Sequence, residues 1–147
     1  MTGLLVLVLA VVVATAIAVA LRWKNGRFAT ARVPVAAAPD DRERLTAEQI
    51  GGRLGERATL VQFSSAFCTP CRATRAVLTD VAATVPGVVT VEIDAEANLQ
   101  LVRDLDILRT PTVLVLDADG VVTTRASGAP RREQVFVALD RAIQPAQ

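Results

Sequence analysis

Phe63-Ser64-Ser65-Ala66-Phe67-Cys68-Thr69-Pro70-Cys71-Arg72 is the stretch on which the reading of this chain turns. Just upstream, Ala58 to Phe63 is a short apolar run suited to a strand buried on both faces. Downstream, Val77, Val81 and Val85 recur at i, i+4 and i+8, which predicts a helix from about Pro70 to Thr84, stopped by Pro86-Gly87. The two cysteines therefore lie where a strand gives way to a helix. Sulfurs three residues apart across a first helical turn can close a disulfide without large backbone movement, so the spacing permits a reversible two-electron couple. Unpaired N–H groups and the positive dipole end at a helix N-terminus favour an anion. Cys68 is accordingly expected to titrate below the usual thiol value of about 8.5 and to be the attacking thiolate. Cys71, inside the turn, suits the resolving role, and Pro70 fits the first turn and stiffens the loop.

Other uses of two cysteines compete with this one. A closed zinc site needs four ligands, and the chain has no histidine and no third cysteine. A purely structural disulfide would close too short a loop to stabilise much. Two unrelated buried cysteines would not account for the strand-to-helix placement or for the proline between them. Cys-x-x-Cys alone is a weak pattern, and the surrounding strand–helix–strand setting is what strengthens it.

Further out, the elements alternate. Thr46-Ala47-Glu48-Gln49 has capping-box spacing, with Ile50 and Leu54 on one face and Gly55 as the expected stop. Val89, Val91 and Ile93 alternate with Thr90 and Glu92 as in a strand. Asp94 to Asp106 reads as helical, and Thr112 to Leu116 as another buried strand. Asp119-Gly120 signals a hairpin whose return strand is Val121 to Arg125. Pro130 suits the first turn of a last helix with Val135, Leu139 and Ala142 inward. A strand near Arg44-Leu45 has little support. The order α-β-α-β-α-β-β-α implies an α/β domain, a central mixed sheet with helices on both faces.

The N-terminus is of another kind. Leu4 to Leu21 has no charged side chain and no proline, and roughly 20 apolar residues are needed to cross a bilayer. Trp23 follows where an interfacial ring is favoured. A cleaved signal peptide has a basic start and a shorter apolar run, although Ala18-Val19-Ala20 resembles a cleavage site. The organisation expected is a transmembrane anchor over 1–23, a tether over 24–44 containing Pro34 and Pro39, and a globular domain over 45–147. Arg22, Lys24, Arg27 and Arg32 follow the span, which by the positive-inside tendency puts the domain in the cytoplasm, the extracytoplasmic side being the alternative. This segment also explains an apolar fraction of 52%. A net charge of +1 with 3% aromatics leaves no basic, aromatic-interleaved stripe, so no nucleic-acid partner is expected.

About Thr46 to Ile143 the chain resembles the thioredoxin family, through Cys68-Thr69-Pro70-Cys71, through Thr110-Pro111-Thr112 before a buried strand, through Asp119-Gly120 and through Ser127-Gly128-Ala129. The resemblance implies a thioredoxin-like fold, a cis Pro111, and backbone pairing of Thr110 with an extended partner. It also implies a substrate groove bounded by Phe67, Thr69, Pro70, Thr110, Pro111 and Gly128, although Gly128 also reads as a simple helix-entry turn. Where the family usually carries tryptophan, a buried aspartate and its lysine partner, this chain has Phe67, Gln62 and Thr90. Glu92 is a nearby candidate base, its side chain expected on the sheet face that Thr90 shares, a pattern that does not place it in the groove. The function implied is reduction of protein disulfides by a monomer with Cys68 and Cys71 catalytic, needing no cofactor or metal and an unidentified thiol donor. The alternatives are an outward-facing thiol reductase for envelope-protein or cytochrome maturation, and a non-catalytic module that docks partners or holds Cu(I).

Overall fold

A strand with large apolar residues on both of its faces has nowhere to lie but between two helical layers. In the computed structural model, which describes residues 2–24, 28–30 and 43–144, β2 (Ala58–Ser64) is buried at every position. It pairs in parallel with β3 (Val88–Asp94) and antiparallel with β4 (Thr112–Asp117), which pairs antiparallel with β5 (Val122–Ser127). A short β1 (Phe28–Thr30) adds antiparallel to β5, so the sheet order is β1-β5-β4-β2-β3.

Alternation along the strands separates two cores. On one face Ala58, Leu60, Val113 and Val115 pack on Leu78 and Val81 of α3 (Thr69–Thr84) and on Val135 and Leu139 of α5 (Arg132–Ile143). On the other, Val61, Phe63, Leu114 and Leu116 pack on Leu45, Ile50, Leu105 and Ile107, around α2 (Ala47–Ile50) and α4 (Leu99–Asp104). The mixed sheet with helices on both faces is thus as expected from element order.

Several local expectations shift. The Thr46–Gln49 capping box forms, but α2 stops after one turn at Gly51, whose φ of 64° gives the left-handed cap, and not at Gly55. The inward stripe of α3 is Cys71, Thr74, Leu78 and Val81, with Val77 only half-buried. Of the three stripe valines only Val81 lies on the deepest face. Residues 94–98 are not helical: Asp94 Oδ1 accepts from the Glu96 N–H and its carbonyl from Asn98 Nδ2, an Asx-type turn that delays α4. The β4–β5 connection is a four-residue loop held by Asp117 Oδ1, which accepts from the N–H groups of Asp119 and Val121. Pro130 lies ahead of α5, not in its first turn. The weakly supported strand near Arg44 is a single bridge to Val121.

The N-terminal helix α1 (Thr2–Lys24) includes a 20-residue apolar stretch, Thr2–Leu21, of mean hydropathy 3.2 that buries nothing against the rest of the protein. It is a candidate membrane span. The expected tether, including Arg27, Arg32, Pro34 and Pro39, lies largely outside the described residues, but Phe28–Thr30 within it joins the sheet.

Candidate active site

Where β2 ends, Ser65 to Phe67 lead into α3 and Cys68 becomes its N-cap, with φ −90° and ψ 95°. An N-cap side chain normally offers an oxygen to the first unpaired N–H groups. Here the Sγ of Cys68 takes that place, accepting from the Cys71 N–H at 3.2 Å. Any negative charge on Cys68 is therefore met by a backbone donor and by the positive end of a 16-residue helix. The two sulfurs are joined in a disulfide with Cα atoms 5.2 Å apart. They are unequal: Cys71 is 2% exposed, whereas Cys68 is half-buried at the rim. Only one end of the pair can be approached by another molecule. Thr69 and Pro70 cap this rim, both exposed, with Arg72 Nη2 donating to Thr69 Oγ1 at 3.3 Å.

The loop before β4 closes on the same place. The Thr110–Pro111 bond is cis. The hydroxyls of Thr110 and Ser65 lie 3.1 Å apart, linking this loop to the cysteine loop. The Gly128 N–H donates to the Pro111 carbonyl at 2.7 Å, and the Gly128 φ of 103° is one that glycine adopts without strain. Arg109 is held to the Ser127 carbonyl, and Thr112 to that of Arg109. Phe67, Thr69, Pro70, Thr110, Pro111 and Gly128 are thus brought to one end of the sheet around Cys68.

Leu108, which the sequence patterns do not single out, and Glu92, which they do, belong to this end. Leu108 is 92% exposed and Phe67 98%, large apolar side chains facing water in the loops that precede Pro111 and Cys68. The signal for Leu108 was an apolar residue next to Arg109-Thr110-Pro111 and outside any periodic run. The second is Glu92. It does share a sheet face with Thr90, but that face is the one α3 covers, so Glu92 ion-pairs with Arg75. With Ser64, Asp94 and both cysteines, this pair lines a polar cleft of about 460 Å3. Glu92, expected near the pair but not placed in the groove by its strand pattern, thus lines the cleft that both cysteines share.

Gln62 sits beneath the pair at 2% exposure, its Nε2 donating to the Cys71 carbonyl at 2.9 Å. Its Oε1 has no hydrogen-bond partner among the described residues. A carboxamide holds no titratable proton, so Gln62 offers Cys71 no base, whereas the cleft is lined by the Glu92 carboxyl group.

Comparison with known proteins agrees with this geometry. The family model described as Thioredoxin matches residues 46–141. A mutant thioredoxin from Halobacterium salinarum is 16% identical, with TM-score 0.55, covering 63% of this chain and 80% of its own. Fasciola hepatica thioredoxin is 23% identical, with TM-score 0.52, covering 60% and 83%. A malaria-parasite thioredoxin-2, described as a component of protein secretion machinery, is 13% identical, with TM-score 0.53, covering 58% and 82%. At these identities the likeness speaks for the fold. No curated protein sequence matches the chain.

Proposed function

The chain belongs to the thioredoxin family, and from that premise we propose that it is a membrane-anchored reductase of protein disulfides working through Cys68 and Cys71. Family membership with the close Cys68–Cys71 pair supports thiol–disulfide oxidoreductase chemistry in general. The observation that carries the narrower reading is the asymmetry of the pair, one sulfur N-capping α3 at the rim and one buried beneath it.

Starting from the dithiol, the Cys68 thiolate attacks one sulfur of a partner disulfide. The partner S–S bond breaks, its other sulfur leaves as a thiolate, and a mixed disulfide forms on Cys68. Cys71 then loses its proton and attacks Cys68 Sγ. The mixed bond breaks, the second partner thiolate departs, and the Cys68–Cys71 disulfide closes. Two electrons have passed to the partner, and a dithiol donor must return them. An extended partner segment would lie in the groove of Phe67, Thr69, Pro70, Thr110, Pro111 and Gly128, pairing with the Thr110 backbone. Glu92, the β3 neighbour of Gln62 in the sheet and part of the cleft lining, is the acceptor for the Cys71 proton through intervening water. The flanking positive charges favour a cytoplasmic domain.

The test is a pair of substitutions assayed on an insulin-like disulfide. Cys68→Ser is expected to lose all turnover, and Cys71→Ser to stop after one exchange with the partner covalently retained. Normal turnover by both variants overturns the reading. Labelling a cysteine placed in the segment 31–42 from outside intact cells decides sidedness, and efficient labelling would move the domain to the outer face.

A further inference from the structure

The bilayer helix and the redox site enter the domain at the same end. α1 ends at Lys24 and β1 begins at Phe28. Whatever path 25–27 take, four Cα-to-Cα steps reach at most about 14 Å. In the β1–β5 register Phe28 lies opposite Ala126 and Thr30 opposite Thr124, so β1 starts where β5 finishes. That finish, Ser127, leads directly to Gly128, whose N–H is bonded to the Pro111 carbonyl. β2 and β3 also end there, β2 at Ser64 just ahead of Cys68, whereas the β4–β5 loop at Ala118 is at the opposite end. From β1 to β2 is three strand spacings, about 14 Å.

We infer that β1 clamps the domain with its redox end toward the bilayer, so that the partner is a membrane-embedded protein whose disulfide lies near the headgroups on the domain's side. The inference rests on reading α1 as an anchor. Adding the two reaches holds the end of β2, the strand that leads to Cys68, within roughly 30 Å of the end of α1. A free tether from Lys24 to Glu43 would instead allow about 65 Å. A small soluble domain is itself about 30 Å across, so the clamped geometry leaves little room for one between site and membrane. A loop of an integral membrane protein needs no such room. Phe67 and Leu108, almost wholly exposed beside the groove, are side chains suited to the apolar margin of such a partner.

Fluorophore-to-headgroup energy transfer tests this on the full chain in phosphatidylcholine–phosphatidylglycerol vesicles carrying an acceptor-labelled lipid. Single labels go on Leu108→Cys or Ala118→Cys, each with Cys68→Ser and Cys71→Ser and with a thermal melt like that of its parent. Transfer from position 108 is expected to exceed that from 118 at least about twofold, since the sheet between them is roughly 20 Å long. Equal or reversed transfer in vesicle-bound protein overturns the orientation while leaving the anchor intact. Protein that does not float with the vesicles overturns the anchor reading, and the inference falls with it. A Gly/Ser insert of about 20 residues after Lys24 is expected to abolish the difference. If the difference survives the insert, the clamp is not its cause and the inference fails.

Discussion

Beneath the resolving cysteine, Gln62 carries two opposing contributions. Its Nε2 bond to the Cys71 carbonyl is worth about 1 kcal/mol net, whereas a buried acceptor left unpaired, as its Oε1 is, costs about 1–3 kcal/mol. Gln62→Met keeps the volume and removes both. It is therefore expected to leave the oxidised protein as stable or slightly more so; a loss above about 1.5 kcal/mol in urea unfolding would contradict this balance. At the same scale, the Arg75–Glu92 pair is substantially solvent-exposed, 56% and 31% by side chain, so Glu92→Gln should cost under about 1 kcal/mol of stability. Its effect is expected on the second exchange step. Without a nearby base, Cys71 attack relies on its own thiolate fraction, so the stopped-flow rate of mixed-disulfide release should drop near neutrality and climb with pH more steeply than in the parent. Identical pH profiles would remove Glu92 from the mechanism.

Elements hold the site through ordinary packing. Leu78 on α3 is 2% exposed among core residues of β2, β4 and α5, and Leu78→Ala is expected to cost about 2–5 kcal/mol in chemical denaturation. Because α3 presents Cys68 at its N-terminus, the same variant should also show less cooperative oxidation of the pair. Gly120, in the β4–β5 loop, has φ 81° and a Cβ there would meet the Leu45 carbonyl oxygen at 2.3 Å. Gly120→Ala is thus expected to destabilise by more than about 1 kcal/mol, the loop having neither the conformation nor the space for a side chain. A melting temperature equal to the parent's would show that the segment at Leu45 can move aside. Elements were also where pattern reading stopped short. Gly51 ended α2 sooner than Gly55 through a left-handed backbone cap, and Asp94 delayed α4 because its side-chain-to-backbone bond outcompeted a helical pattern of weak amphipathicity.

Across the whole molecule, α1 leaves residues such as Leu5 and Leu7 more than half exposed, 71% and 61%. An apolar surface of that extent needs a partner, and a bilayer supplies one. The full chain is expected to stay with membranes through alkaline carbonate extraction, and a chain lacking 2–24 to be released. Recovery of the full chain in the supernatant would overturn the anchor, and an N-terminus beginning near Leu21 would replace it by a removed leader. The same scale shows why part of the site was hidden. Glu92 could be assigned to a face from its alternation with Val91 and Ile93, but which helix covers that face depends on the crossover from β2 through α3 to β3.

Spacing and residue type alone determined the strand–helix junction at Cys68, the buried runs of β2 and β4, the mixed sheet and the apolar N-terminal helix, because each is a local pattern with a local physical cause. Tertiary structure decided how deeply Cys71 is buried, that Glu92 with Arg75 lines the cleft at the cysteines, and that Phe28–Thr30 ties the N-terminal segment to the sheet edge at the redox end. Those are contacts between residues far apart in the chain, and no local periodicity encodes which distant backbone a strand edge will pair with.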